Sequence, residues 1–238
     1  SKGRNDGPLD EMLVLARDAA RDFTDSEVAP HAERIHRNDE LVSEEFLSKM
    51  AELGYFGLSV PEQYGGVEMG NVAMCITTEE LSRGSLAAAG SLITRPEILT
   101  KALLAGGTEA QKLYWLPKMA SGELMVGISV TEPDVGSDVA GVKCRAERAT
   151  QDGVEGWTIT GPKAWCTFAG RADVIALLAR TGDAGGARGL TLFIVDKPRF
   201  PGHEFAATQP GGGRGGGGGR SGVRPGRRAR RGRAGGTA

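Results

Sequence analysis

The 238-residue sequence has few cysteines, few histidines and no long apolar run, and each shortage excludes a class of protein. Three widely separated cysteines do not make the disulfide framework of a small secreted domain. Only three histidines are present, and none is spaced with a cysteine as zinc ligands are, so we predict no metal site. No stretch approaches the roughly 20 apolar residues of a membrane span, and the first residues lack the order of a signal peptide. We therefore expect a cytoplasmic protein with no membrane segment.

Acidic residues are missing from one part of the chain. Residues 211–238 contain eight arginines, thirteen glycines and no acid, whereas the formal net charge of the whole chain is −1. Residues 1–210 therefore carry −9. A body this acidic lacks the basic footprint of a nucleic-acid-binding protein.

The first 124 residues show helical patterning. Apolar residues at spacings of three and four predict a helix with one buried face, formed by Leu9, Met12, Ala16, Ala19 and Phe23. Gly54 follows a second such pattern, where a helix would end on a left-handed residue. Pro96 suits the first turn of another helix. Thr108 and Gln111 have the spacing of a capping box.

From about Leu124 the patterning changes to short strands. Stretches rich in β-branched and apolar residues, separated by turn sequences, predict five strands at residues 125–131, 139–146, 156–160, 173–179 and 189–196. Helices followed by strands indicate an α+β fold in which an all-α domain precedes a small antiparallel, barrel-like sheet domain. We predict domains at 1–124 and 125–205, and a disordered tail at 206–238.

One strand runs into the loop of Ser129-Val-Thr-Glu-Pro-Asp-Val-Gly-Ser-Asp138, and Trp165-Cys-Thr167 begins 27 positions later. Glycine and hydroxyl side chains after a strand allow backbone N–H groups to approach a polar ligand closely. The alternative is a simple β-turn in which Asp134 and Asp138 bond locally to the backbone. For Trp165 the alternative is a place in the core of the sheet domain.

These two segments resemble the flavin-contacting segments of acyl-CoA dehydrogenases. That family has a Val-Thr-Glu-Pro-x-x-Gly-Ser-Asp stretch and a later Gly-x-Lys-x-Trp-x-Thr stretch, which residues 130–138 and 161–167 match in order and separation. Further likenesses, such as those at 61–66 and 115–118, extend the resemblance over about residues 8–210. Ser129 departs from the small apolar residue or cysteine that is more usual there, and Asp134-Val135 replaces the commoner Gly-Ala.

The resemblance implies an FAD cofactor, an acyl-CoA substrate and an electron-transfer flavoprotein as acceptor. Thr131 would hydrogen-bond the isoalloxazine ring, Trp165 would cover its edge, and Ser137 would lie near phosphate or acyl-CoA groups. In the family, FAD takes a hydride from the β-carbon while a glutamate removes the α-proton. The implied cofactor-binding residues are Ile128, Val130, Thr131, Gly136, Ser137, Trp165 and Thr167, and the substrate candidates are Ser137 and Arg95.

Within the family, the strings at residues 92–98, 165–173 and 202–205 look most like dehydrogenases of methylsuccinyl-CoA. This likeness implies oxidation of 2-methylsuccinyl-CoA to mesaconyl-CoA. Arg95 would then pair bidentately with the free carboxylate of the acyl chain. The alternative is that Arg95 is an exposed arginine at a helix start.

The resemblance stops before the C-terminal helical bundle that supplies the family's glutamate base and subunit interface. We therefore expect no catalytic base in this chain, weak or absent flavin retention, and no activity of the chain alone. The homo-oligomer of intact family members is not an expectation for this chain.

The Gly/Arg-rich tail has almost no apolar residues and cannot bury a core. We favour an out-of-frame reading of a high-GC gene over two alternatives, an RGG-like RNA-binding arm and a flexible linker. Two functions follow: an acyl-CoA dehydrogenase by descent, or a non-enzymatic binding module with a cationic tail.

Overall fold

The computed structural model describes residues 8–151, 153–169 and 171–197. The chain divides into two compact units, one ending at Leu124 and the other beginning at Met125. The predicted order of a helical domain followed by a sheet domain is confirmed. The predicted tail at 206–238 lies outside the described residues.

The first unit is helical throughout. Its described part contains six α-helices, which are α1 (Pro8–Phe23), α2 (Ala29–Asn38), α3 (Glu44–Glu52), α4 (Gly70–Ser85), α5 (Ser91–Gly106) and α6 (Glu109–Ala120). Single π-helical turns at Thr24–Val28 and Leu86–Gly90 lie between α1 and α2 and between α4 and α5. The chain stays helical through the first joint, whereas Ser85, at the end of α4, is extended (φ −162°, ψ 118°) and caps the second turn by accepting the Ala88 N–H. No helix in the described ranges is both long enough and apolar enough to cross a membrane.

The buried face of α1 differs from the predicted one. Phe23 is buried as predicted, but Met12 is 56% exposed, Ala19 is exposed, and Ala20 is buried in its place. The Phe23 ring packs against Phe46 and Tyr55, with centroid separations of 5.6 and 5.7 Å. These aromatic contacts set the orientation of the helix. The alanines of α1 are small enough to lie on either its buried or its exposed face.

Two of the predicted helix ends are confirmed and one is wrong. Gly54 follows α3 with a φ of 72°, the left-handed value expected of a glycine that ends a helix. The Gln111 N–H donates to Thr108 Oγ1 (3.3 Å) and the Thr108 N–H donates to Gln111 Oε1 (2.9 Å), which completes the capping box. Pro96 lies inside α5, which begins at Ser91 because the preceding π-helical turn delivers the chain already helical.

The second unit is a five-stranded sheet around a buried central strand. Its strands are β1 (Val126–Ser129), β2 (Arg145–Gln151), β3 (Val154–Thr160), β4 (Val174–Arg180) and β5 (Leu190–Asp196). Strand β4 pairs antiparallel with β5, parallel with β1 along Val174–Leu177, and parallel with β2 at Arg180. The sheet is therefore mixed, and the prediction of antiparallel pairing is wrong for β1 and β4. The long connection between these two strands leaves their relative direction free.

One predicted strand lies elsewhere. Residues 139–141 form a 3₁₀ turn, and β2 begins at Arg145 instead of 139. Strand β2 pairs with β3 as a hairpin. Its only apolar residues are Ala146 and Ala149, and this weak apolar signal explains the misplacement. The core lies along β4, where Ile175, Ala176 and Ala179 have no exposed surface.

Candidate functional site

Strand β1 directs the candidate loop from a fixed point at the sheet edge. The Met125 N–H donates to Asp173 Oδ2, and the Asp173 N–H donates to the Met125 carbonyl, both at 2.9 Å. Gly127 has no room for a side chain, because a Cβ there would lie 2.7 Å from Ile175 Cδ1. These contacts hold β1 against β4 and place the buried Ser129 where the chain leaves the sheet.

Beyond Ser129 the chain makes a tight turn. The Glu132 N–H donates to the Val135 carbonyl (2.9 Å), and the Val135 N–H donates to the Glu132 carbonyl (3.2 Å). A turn is thus present, as the simpler interpretation of this segment expected. The side chains of Asp134 and Asp138 do not provide it, since neither makes a hydrogen bond to any residue that the structure describes.

Three hydrogen bonds join this loop to the Trp165 segment. The Ala164 N–H donates to the Thr131 carbonyl at 2.8 Å. The Lys163 ammonium donates to the Val130 carbonyl at 2.9 Å and to Glu132 Oε1 at 3.0 Å. Two segments 31 residues apart in sequence therefore lie side by side, which brings Val130 and Thr131 next to the residues preceding Trp165.

Glu132 and Lys163 form a buried ion pair, with residue exposures of only 4% and 1%. The Glu132 carboxylate also accepts the backbone N–H groups of Lys143 and Cys144, both at 2.8 Å. Burial raises the pKa of Glu132, but these N–H groups and the Lys163 ammonium outweigh it and hold the pKa below its ordinary value. Glu132 is therefore a fixed negative charge and not a proton acceptor.

Trp165 stands out from the sheet domain. Its side chain is 64% exposed, so the alternative that it belongs to the core is wrong. Its backbone has a φ of 57°, and Phe168 has a φ of 63°; such left-handed values are costly for large side chains and persist only where surrounding contacts enforce them. Trp157, by contrast, packs edge-on against Phe193 at 5.8 Å.

Several other predicted site residues have side-chain groups that the described part of the fold leaves without a hydrogen bond. The hydroxyls of Thr131, Ser137 and Thr167 make no hydrogen bond within the described ranges. A Cβ added at Gly136 would meet no atom within 4 Å, so packing does not require glycine there. Ile128 is half-buried in β1. Hydroxyls that make no hydrogen bond in the described ranges, together with an exposed aromatic side chain, suit a flat ring with polar edges.

The sequence patterns missed the residues that hold the site together. Arg180, at the end of β4, donates to the carbonyls of Ala140 (2.7 Å) and Val142 (3.1 Å) and so fixes the chain that follows Ser137. The available signals were an arginine ending an apolar strand, and the opposite charges of Glu132 and Lys163, one in each of the two motifs. Arg95 belongs to the other unit, within α5, and its side chain lies outside the described structure.

A metal centre has no support in the described ranges, since no group of three His, Cys, Asp or Glu residues is placed to hold an ion.

Comparisons with known proteins identify both units. The family model "Acyl-CoA dehydrogenase, N-terminal domain" matches residues 10–123, and "Acyl-CoA dehydrogenase, middle domain" matches residues 127–217. The (2S)-methylsuccinyl-CoA dehydrogenase of Cereibacter sphaeroides is 46% identical over 190 residues, which cover 79% of this chain.

Two solved structures share the fold. A glutaryl-coenzyme A dehydrogenase in complex with glutaryl-CoA is 36% identical, with a TM-score of 0.71 over 83% of this chain. A glutaryl-CoA dehydrogenase from Mycobacterium smegmatis in complex with FADH2 is 28% identical, with a TM-score of 0.71 over 82% of this chain. The chain spans 34% of the length of the Cereibacter relative, and 50% and 47% of the two solved chains.

Proposed function

Because this chain belongs to the acyl-CoA dehydrogenase family, we propose that its sheet domain binds FAD and serves the α,β-dehydrogenation of an acyl-CoA thioester. One observation carries the proposal. The buried Glu132–Lys163 pair joins the two candidate segments, Trp165 stays exposed, and the hydroxyls of Thr131 and Thr167 in the same segments make no hydrogen bond within the described ranges. The solved relative in complex with FADH2 supports the choice of cofactor.

The residues that would hold FAD divide by chemistry. Thr131, Thr167 and Ser137 offer hydroxyls to polar atoms of the cofactor, and Ser137 also serves the acyl-CoA. Trp165 offers an aromatic face that covers the ring and excludes water. Bound FAD would supply hydride acceptance, while these side chains bind the ring, orient it and tune its electron affinity. Ile128, Val130 and Gly136 complete the proposed binding edge with half-buried apolar side chains and unobstructed backbone.

The general base is proposed to lie outside the described residues. Among the described residues, Glu80 and Glu132 are the carboxylates whose pKa values are clearly shifted, and both pKa values are lowered. A hydrogen bond from Arg21 is the main cause that lowers the pKa of Glu80, and donors around Glu132 outweigh its burial. A base that takes an α-proton needs a pKa raised toward the working pH. Neither Glu80 nor Glu132 suits that role, and we propose that the 238-residue polypeptide alone does not turn over.

For the substrate, we propose 2-methylsuccinyl-CoA, oxidised to mesaconyl-CoA. The 46% identity to a (2S)-methylsuccinyl-CoA dehydrogenase supports this choice. Arg95 is proposed to pair with the free carboxylate of the acyl chain. An electron-transfer flavoprotein as acceptor and a cytoplasmic location stay predictions of the sequence.

FAD titration of the purified chain tests the proposed function. We expect weak but saturable binding, seen as quenching of flavin fluorescence and a shift of its visible absorption. Trp165→Ala and Thr131→Ala should each raise the Kd about tenfold, equivalent to about 1.4 kcal/mol of lost contact. Trp115→Phe, in the helical unit, is the matched control and should leave the Kd unchanged. A folded chain with no saturable binding, or a Trp165→Ala variant that binds as tightly as the unaltered chain, would refute the proposal.

A further inference from the structure

We propose that the buried Glu132–Lys163 pair is a positioning element that sets the two flavin-facing segments relative to each other and thereby governs flavin affinity separately from stability. The inference rests on the proposed function of FAD binding. Neither residue is offered as a flavin contact, since both are almost fully buried.

The first support is the place of the pair in the chain. Glu132 directly follows Thr131, and Lys163 lies two residues before Trp165. The Lys163 ammonium donates to the Val130 carbonyl on one side of Thr131 and to the Glu132 carboxylate on the other. With the Ala164 N–H bonded to the Thr131 carbonyl, the backbone around Thr131 is held at three successive residues.

The second support is the number of segments that meet at the carboxylate. Glu132 accepts from Lys143 and Cys144 as well as from Lys163, so one side chain joins the candidate loop, the approach to β2 and the Trp165 segment. Two apolar residues of similar volume could fill this space, and such replacements of buried ion pairs are often neutral or stabilising. Apolar side chains could not hydrogen-bond the backbone groups of Val130, Lys143 and Cys144. The charged pair therefore specifies the relative positions of the segments that carry these groups.

The third support is the left-handed backbone at Trp165. A large side chain holds such a φ only when its neighbours enforce it. Lys163 and Ala164 anchor the chain just before Trp165, and the Ala172 N–H bonds to the Phe168 carbonyl at 2.7 Å just after it. Loss of the Lys163 anchor would let the Trp165 ring leave its orientation without unfolding the sheet.

The test compares Lys163→Met, Glu132→Gln and the double variant with the unaltered chain. Each single variant leaves a buried group without its partner, so both the unfolding midpoint and flavin affinity should fall. The double variant carries no unpaired buried charge and should recover much of the stability. Its FAD Kd should stay at least about tenfold raised, because the Val130 carbonyl and the Thr131 register remain unsupported. Asp183→Asn, which breaks the exposed Arg145–Asp183 pair, is the control and should change neither quantity.

A purely structural pair predicts a different result. Affinity would then follow stability across the series, and a double variant with recovered stability and unaltered FAD affinity overturns the proposal. If the single variants do not fold, the double variant decides alone.

Two readouts do not use flavin, so they separate this inference from the proposed function. In a Trp115→Phe, Trp157→Phe background, acrylamide quenching of Trp165 should change in the double variant and not with Asp183→Asn. In the unaltered chain, the amides of Lys143, Cys144 and Ala164 should exchange with deuterium only through global unfolding. If FAD does not bind, but the quenching of Trp165 changes in the double variant and the three amides exchange only through global unfolding, the proposed function fails and the positioning role stands. Local exchange of these amides overturns the positioning role.

Discussion

Glu132 shows how a single carboxylate can be kept charged inside a sheet. Its neighbours supply two backbone N–H donors and one ammonium, and together they offset the cost of burial. At Cys144, which donates its N–H to Glu132, burial outweighs the effect of the Lys163 charge and raises the pKa of the thiol. The same local environment therefore keeps an acid ionised and a thiol neutral.

The stability of the sheet domain should depend on pH through Glu132. Its folded pKa lies below its ordinary value of 4.5, so its contribution to the free energy of unfolding is full above that value. The contribution is lost as pH falls through the lower, folded pKa. Urea unfolding between about pH 6 and pH 3 should therefore show a steeper loss of stability for the unaltered chain than for Glu132→Gln. Parallel pH profiles for the two proteins would contradict this expectation, and Glu147→Gln, on the exposed face of β2, is the control.

Local patterns predicted some residues well and missed others for a physical reason. Gly54 and the Thr108–Gln111 pair act within one or two turns of chain, so spacing alone identifies them. The partner of Lys163 lies 31 residues away, and no local rule connects the two. The predicted contacts of Trp165, Thr131 and Thr167 with flavin stay predictions.

At the scale of elements, small residues allow the helices of the first unit to join closely. A Cβ at Gly90 would lie 1.9 Å from Ser82 Oγ, and one at Gly84 would lie 2.6 Å from Thr24 Cγ2. The missing side chains let the turn before α5 lie against α4, and let α4 lie against the turn that follows α1. The sequence pattern placed the start of α5 at Pro96, since proline favours first turns, and it could not detect the π-helical turn at Leu86–Gly90 that leads directly into Ser91.

The capping box at the start of α6 should contribute measurably to stability. Thr108→Ala removes the acceptor for the Gln111 N–H and should lower the free energy of unfolding by about 1 kcal/mol. Thr108→Ser keeps a hydroxyl in place and should lower it far less. Urea denaturation followed by circular dichroism at the helical band measures both. Equal losses for the two variants would show that the hydroxyl is not what matters.

At the scale of the whole molecule, the sequence predicted the order of the units better than the arrangement of the sheet. Helical and strand periodicities differ over long windows, so the change near Leu124 is visible in the sequence. The parallel pairing of β1 with β4 depends on a distant contact, and alternation within each strand does not encode strand direction.

The choice of acyl chain concerns the whole reaction, and the proposal gives Arg95 the free carboxylate of the acyl chain as its partner. With FAD added in excess, Arg95→Ala should lower the ratio of affinities for methylsuccinyl-CoA over butyryl-CoA about tenfold, because only the former carries a free carboxylate. Competition binding measures this ratio. Arg37→Ala, at a highly exposed position of α2, is the control. An unchanged ratio in Arg95→Ala would assign the arginine to the surface alone.

The Glu132–Lys163 pair also restricts how this sequence can evolve. Loss of one partner leaves the other charge buried and unpaired, which lowers the free energy of unfolding by about 3–5 kcal/mol. This is a large share of the stability of an ordinary domain. A lineage that changes either position must therefore change the other almost at once, or pass through an unstable intermediate. The two positions, 31 residues apart, are therefore coupled by epistasis, because the effect of a substitution in the loop depends on the residue in the tryptophan segment.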